Sequence, residues 1–350
     1  MDLDLLSALA GAHGTSGQED RVREIVRAQL APVVDRVEVD PLGNLTATRD
    51  GEGPRVMLAA HMDEIGLMVT HVDDRGFLRV IPIGGWDART LVDQRVLVRG
   101  REDVEGVVGT TPVHLIEPGD RGKNLKVTDL AIDVGLPADR VKELVRPGDT
   151  ATRIRLLTRL GDLVTAKSLD DRVGVFVMIE AVKAAGRAPA ELVATATVQE
   201  EVGLRGARVA ASRVRPQIAL AIDTCPADDG PGGKLDGPTT RLGSGTAIRI
   251  MDASAIGSRA LVDLLTSLAQ ELSISHQFHV AGRGGTDTGS LQLSGDGAIA
   301  ACVSIPTRYV HSSVEACHPA DIQASIDLVA AFVERVGELD IPVPPAPDAA

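Results

Sequence analysis

Histidines and acidic residues sit at the ends of five apolar, strand-like runs spread along the chain: LAAHMDEIG, SLDDRVG, TVQEEVGLRG, LAIDT and RYVHSS. The side chains concerned are His61, Asp170, Glu201, Asp223 and His311. Imidazole and carboxylate are donors that suit zinc, cobalt or manganese, and two neighbouring cations need a carboxylate between them. Together the five residues are a donor set for a two-metal hydrolytic centre.

Each position has a plainer reading when taken singly. His61 alone reads as a hydrogen-bonded histidine, with Asp63 two residues on able to fix its tautomer. Asp170 and Asp171 precede a helical pattern, where one aspartate serves as an N-cap; the other is then free to bridge cations, and Asp170 is assigned that part. Glu200 and Glu201 alone read as a solvated surface doublet, yet they follow the apolar run ELVATATV. At a strand end the turning backbone aims both into one cleft, which makes Glu201 a ligand and Glu200 a general base within reach of an attacking water. Asp223 closes QIALAID, and an unpaired carboxylate there is costly in low dielectric unless a cation offsets it. Glu64 reads as a solvated or supporting carboxylate. Thr286 and Asp287, in GRGGTDTG, read as a substrate-facing loop whose glycines permit close backbone approach. His13, His71, His114, His276, His279 and His318 lack a matching context and read as structural or surface residues.

The elements that position these residues follow from periodicity. Helices are expected near 2–12 and 19–30, then a polar hairpin around Pro41 and Gly43, then the apolar strand RVMLAA that ends beside His61. Residues 68–163 carry short alternating strands punctuated by glycine and proline, the texture of a small β-rich inserted domain. From Asp162 onward apolar strands alternate with helices, the signature of a mostly parallel sheet covered on both faces. A catalytic domain formed by 1–67 and 164–340 and a flexible tail at 341–350 complete the division. Open α/β sheets bind ligands beyond the carboxyl ends of their strands, and the chemical residues stand there.

Composition narrows the function classes. At 350 residues the chain holds more than one modest core. Its formal charge of -13 and lack of basic runs argue against nucleic acid. No apolar stretch reaches the roughly 20 residues of a membrane span, and the acidic start MDLDLL does not read as a signal peptide. Three cysteines without CxxC spacing give neither a disulfide framework nor a thiolate zinc site, so a reducing cytoplasm is expected. Neither a phosphate loop nor a GxSxG elbow occurs, which disfavours ATP use and serine hydrolase chemistry.

AAHMDEIGLMV, the DDR segment, QEEVGLRGA, the Asp223 strand end, GGTD and RYVHSSVE together resemble, in order and spacing, the cytoplasmic glutamyl or deblocking aminopeptidases. These are dinuclear metallopeptidases that include the tetrahedral aminopeptidases, and the match runs over nearly the whole chain. The resemblance implies that Asp170 bridges two divalent ions, that His61 and Asp223 complete one shell, and that Glu201 and His311 complete the other. It implies Glu200 as base, short peptides as substrates, and dimers that assemble through the insert into a dodecamer. Three other readings of the residues stay open: an N-acyl amino-acid deacylase or carboxypeptidase on a related scaffold, a metal-independent glycosidase using two carboxylates, and a non-catalytic peptide-binding scaffold.

Overall fold

Strand Arg55–His61 shows how this sequence builds a covered sheet, because successive side chains point to opposite faces. Val56, Leu58 and Ala60 face one core, shared with helices Leu3–Gly11, Asp20–Leu30, Leu169–Ala184, Arg259–Glu271 and Pro319–Arg335. Met57 and Ala59 face another, against Ala207, Ala210, Ala211 and Val214 of helix Arg205–Val214. Small alanines on both partners of that second face let helix and sheet approach closely. The computed structural model describes residues 1–339 apart from 116, 118, 120–123, 187 and 234–238. The tail expected at 341–350 lies outside the described residues.

Among the described residues the large sheet has eleven strands. Its centre is parallel: Glu191–Thr197, Arg55–His61, Ile218–Pro226 and Ile299–Arg308 lie side by side, with Thr197 opposite His61 and Asp223 opposite Ser304. The flanks are not. Leu45–Arg49 and Arg36–Val39 add antiparallel at one side, and Glu315–Cys317, Leu163–Ala166 and Thr158–Leu160 add antiparallel at the other. Thr246–Met251 also runs antiparallel to Ile299–Arg308. The sheet is therefore mixed, and the expectation of a mostly parallel one is corrected: hairpins add antiparallel strands at both edges, and strands distant in sequence, such as Glu191–Thr197 on Leu45–Arg49 and Thr246–Met251 on Ile299–Arg308, also pair antiparallel.

Six antiparallel strands among the described residues close a small barrel: Gly66–Val72, Leu78–Ile83, Ala131–Asp133, Asp103–Gly109, Arg95–Arg99 and Thr150–Arg153. Leu67, Val69, Val80, Val96, Val98, Val108 and Ile132 fill it with a core of its own. Barrel strands run from Gly66 to Arg153, so Thr158–Leu160, placed with the insert by its sequence texture, belongs to the large sheet instead. No helix among the described residues is long and apolar enough to cross a membrane.

Candidate metal centre

The carboxyl ends of the central strands bring the five candidate ligands to one cleft. His61 ends its strand, Asp223 lies near the end of the adjacent one, Glu201 follows Glu191–Thr197 by a short turn, and His311 follows Ile299–Arg308. Asp170 enters from the first turn of helix Leu169–Ala184. Its carboxylate faces both imidazoles at once: Oδ1 lies 3.4 Å from His61 Nε2, and Oδ2 lies 3.3 Å from His311 Nε2. Glu201 Oε1 is 3.2 Å from the same His311 nitrogen.

Among the described residues two groups of donors converge within 4.8 Å, one of His61, Asp170 and Glu201 and one of His61, Asp171 and Asp223. Both aspartates therefore come near His61, but they are engaged differently. Asp171 is fully buried and spends its oxygens on backbone, accepting from His61 N at 3.2 Å and from Gly174 N at 3.1 Å. Asp170 keeps both oxygens toward imidazoles.

The donor set fits divalent cations on electrostatic grounds. Burial pushes the Asp223 carboxyl up to about 7, reinforced by the nearby charge of Asp170. Burial also raises Glu201, and raises Asp171 and Glu200 well above the carboxylate range. Burial alone would depress His311, yet its bonds to Asp170 and Glu201 outweigh that and lift it to about 11. Carboxylates crowded in this way hold protons unless positive charge stands among them to keep them ionised, and imidazole with carboxylate is a donor combination for borderline metals.

Asp63 works differently from its sequence expectation. His61 Nδ1 lies 3.0 Å from the Asp63 backbone carbonyl, whereas the Asp63 carboxylate is 3.5 Å away. The carbonyl is the nearer of two Asp63 oxygens that face this nitrogen, and both kinds of group serve to orient metal-binding histidines. The carboxylate also accepts from Glu200 N at 2.9 Å, Glu201 N at 3.2 Å and Ser16 Oγ at 2.6 Å. It fixes the turn that carries both glutamates.

Glu315 performs the matching task across the cleft and was not singled out from sequence. It is buried, and its two oxygens accept from Asp170 N at 2.9 Å and His311 N at 2.8 Å. Burial and repulsion from Asp170 raise its carboxyl to about 8. Backbone around the site is held in uncommon conformations: Ser168, Gln199, Leu204, Tyr309 and His311 all have φ between 50 and 64°. Non-glycine residues there cost about 1–3 kcal/mol each and persist where surroundings over-determine them, which is common at functional sites.

The cleft encloses about 800 Å³. Besides the ligands it is lined by Glu200, Arg249, His279, Arg283, Gly284 and Gly285. The glycines of the GRGG turn do approach the cleft, but Thr286 and Asp287 lie behind it. Thr286 Oγ1 donates to Asp252 Oδ2 at 3.1 Å, and Asp287 Oδ2 accepts from Thr197 Oγ1 at 2.6 Å. His279, read as structural or surface, lines the cleft; burial lowers it to about 4. The strand HQFHV gave no clue, since its alternation would turn Phe278 and Val280 inward, whereas in the structure His279 is buried and those two are exposed.

Glu64, next to Asp63, is neither solvated nor a ligand. It is buried against Lys167 Nζ at 2.7 Å and accepts from Thr152 Oγ1 at 2.7 Å, Gly14 N at 3.2 Å and the Ser168 hydroxyl. Arg172 adds a second cation at 3.4 Å. Removing one partner of a buried pair leaves the other uncompensated, at about 3–5 kcal/mol. Lys167→Met is therefore expected to cost about 3 kcal/mol, the lower end because Arg172 remains. A urea denaturation midpoint equal to that of the unsubstituted chain would show that Arg172 alone suffices.

A mixed sheet whose central strand ends carry a cluster of carboxylates and imidazoles, with a barrel at its side, defines a candidate metallohydrolase. The sequence profile of the M42 glutamyl aminopeptidases matches residues 43–328, and the chain belongs to that family. It is 36% identical to the lysyl aminopeptidase of Pyrococcus furiosus, over 97% of this chain and 99% of the relative. An aminopeptidase from the archaeon Desulfurococcus kamchatkensis superposes with a TM-score of 0.92 at 38% identity, covering 97% of this chain and 98% of that one. The TET1 peptidase of Pyrococcus horikoshii, described as assembling into a tetrahedron or a large octahedral shell, has a TM-score of 0.86 at 36% identity, covering 95% and 98%.

Proposed function

We propose that the chain is a metal-dependent aminopeptidase that removes N-terminal residues from short peptides. The observation that carries this reading is the Asp170 carboxylate, which faces His61 with one oxygen and His311 with the other. In this reading Asp170 would help to hold two divalent ions, one together with His61 and Asp223 and the other together with Glu201 and His311. Zinc, cobalt and manganese all suit these donors. When bound, such ions supply Lewis-acid polarisation and lower the pKa of water toward neutrality.

The chain's own groups supply the proton transfers. Glu200 lines the cleft without ligating, takes a proton from the attacking water and returns it to the leaving nitrogen. Asp63 holds the Glu200 and Glu201 backbone through its carboxylate, so the base keeps its place beside a ligand. The acidic walls favour a substrate's free α-ammonium. Thr286 and Asp287 support the cleft from behind instead of meeting substrate.

The insert expected at 68–163, whose barrel strands run from Gly66 to Arg153, is proposed as the surface through which copies assemble, in a dodecamer such as the resemblance implies. Division into a catalytic domain, 1–67 with 164–340, and that insert belongs to the same reading. A cytoplasmic address is supported by three free, buried cysteines.

Digestion of a peptide panel tests the function. Metal-stripped protein should be inactive, zinc or cobalt should restore it, and only peptides with a free N-terminus should be shortened, one residue at a time by mass spectrometry. Cleavage of acetylated peptides alone would favour the deacylase reading, chelator-insensitive activity on glycosides the glycosidase, and metal binding without hydrolysis the scaffold.

A further inference from the structure

Arg153, the last residue of barrel strand Thr150–Arg153, is only 2% exposed although it carries a full charge. Its guanidinium lies 4.6 Å from the ring centroid of Trp86, the only tryptophan in the chain. From that stack Nη1 reaches the carbonyl oxygen of His311 at 3.4 Å. Glu315, Glu64 and Glu201 surround it with opposite charge. A buried guanidinium is tolerated only where carboxylates, acceptors or an aromatic face compensate it; the buried core of the barrel is aliphatic, Trp86 packed against it supplies the aromatic face, and the His311 carbonyl acceptor lies outside the barrel.

The neighbouring barrel segment is shaped to the same contact. Gly84 has φ +78°, and a Cβ there would lie 2.5 Å from Ile65 and 3.3 Å from Glu201 Oε2. A Cβ on Gly85 would lie 3.4 Å from His311 Nδ1. Trp86 itself is pinned by its indole N–H, which donates to the carbonyls of Gly66 at 2.8 Å and Ile83 at 3.1 Å.

His311 has φ +64°, a conformation its surroundings must impose. Both of its backbone polar groups are tied: the N–H to Glu315 Oε1 at 2.8 Å, the carbonyl to Arg153. We propose that Arg153, clamped on Trp86, is a positioning residue through which the barrel holds the His311 turn where His311 and Glu201 take one divalent ion. This rests on the metal-centre reading above. The barrel thereby completes the site mechanically, without contributing a ligand.

Zinc chloride titrated into metal-stripped, full-length protein tests the inference, read by calorimetry and by the emission of Trp86. The unsubstituted chain should take two ions per chain, and filling the His311 side should change the emission of the stacked indole. In Arg153→Met one ion should bind as before, the other about 10–100-fold more weakly, as loss of supporting groups around metal ligands costs, and the emission change should vanish. Arg153→Lys keeps the charge but not the planar fork, and should fall between the two. Trp86→Phe, followed by calorimetry, should weaken the same ion several-fold. Two zinc ions bound with unchanged affinities in Arg153→Met would overturn the proposal. If that variant does not fold, unchanged affinities in both Arg153→Lys and Trp86→Phe would overturn it equally. An unsubstituted chain that binds no pair of zinc ions would sink the metal-centre reading itself, a result visible before any substitution is made.

Discussion

Glu200→Gln should reduce the kcat for peptide hydrolysis by about 10²–10⁴-fold, the contribution of a positioned general base, while leaving the metal content unchanged. The amide has the shape of the carboxylate but cannot accept and return a proton. The backbone N–H of residue 200 would still donate to Asp63, so the turn that presents Glu201 should stay in place. Parallel measurement of kcat and bound metal separates the two effects. Activity within tenfold of the unsubstituted chain would remove Glu200 from the proton transfers. A joint loss of activity and metal would make it a ligand.

Asp170→Asn should be more damaging still, because one substitution strips charge from the carboxylate that faces both histidines. Metal content should fall below one ion per chain, and the weakening should exceed the roughly 10–100-fold that loss of a supporting group brings. Asp171→Asn gives the control. Asp171 holds the backbone N–H groups of His61 and Gly174, so its substitution should lower the denaturation midpoint more than it lowers the number of ions bound. Full metal loading in Asp170→Asn together with metal loss in Asp171→Asn would exchange the two assignments.

The strand-end candidate ligands that meet in the cleft are legible in the sequence because a charge closing an apolar run is energetically conspicuous, as with Asp223 after QIALAI and Glu201 after VATATV. The choice between Asp170 and Asp171 is harder to read. Adjacent residues differ only in where the backbone aims them, and the first turn of helix Leu169–Ala184 departs from helical geometry at both. Glu315 is invisible to ligand-spacing arguments because it acts on the backbone N–H groups of Asp170 and His311 rather than on a cofactor. Its sequence signal is its place at the end of RYVHSSVE, four residues after His311. Arg153 is concealed for a similar reason, since the His311 carbonyl it reaches lies in the fold's other unit, Trp86 is distant in sequence, and its local pattern, TATRI, is an ordinary alternating strand. The mixed sheet was obscured by the hairpin 36–49, recognisable as a hairpin from its alternation but silent about which sheet it would join.

Anomalous diffraction at the zinc edge, from crystals of metal-stripped protein soaked in zinc, tests the central claim most directly. Two peaks should appear in the cleft, one near His61 and Asp223, the other near Glu201 and His311, with the Asp170 carboxylate between them. A single peak that leaves either histidine without an ion, or none among these side chains, would contradict it.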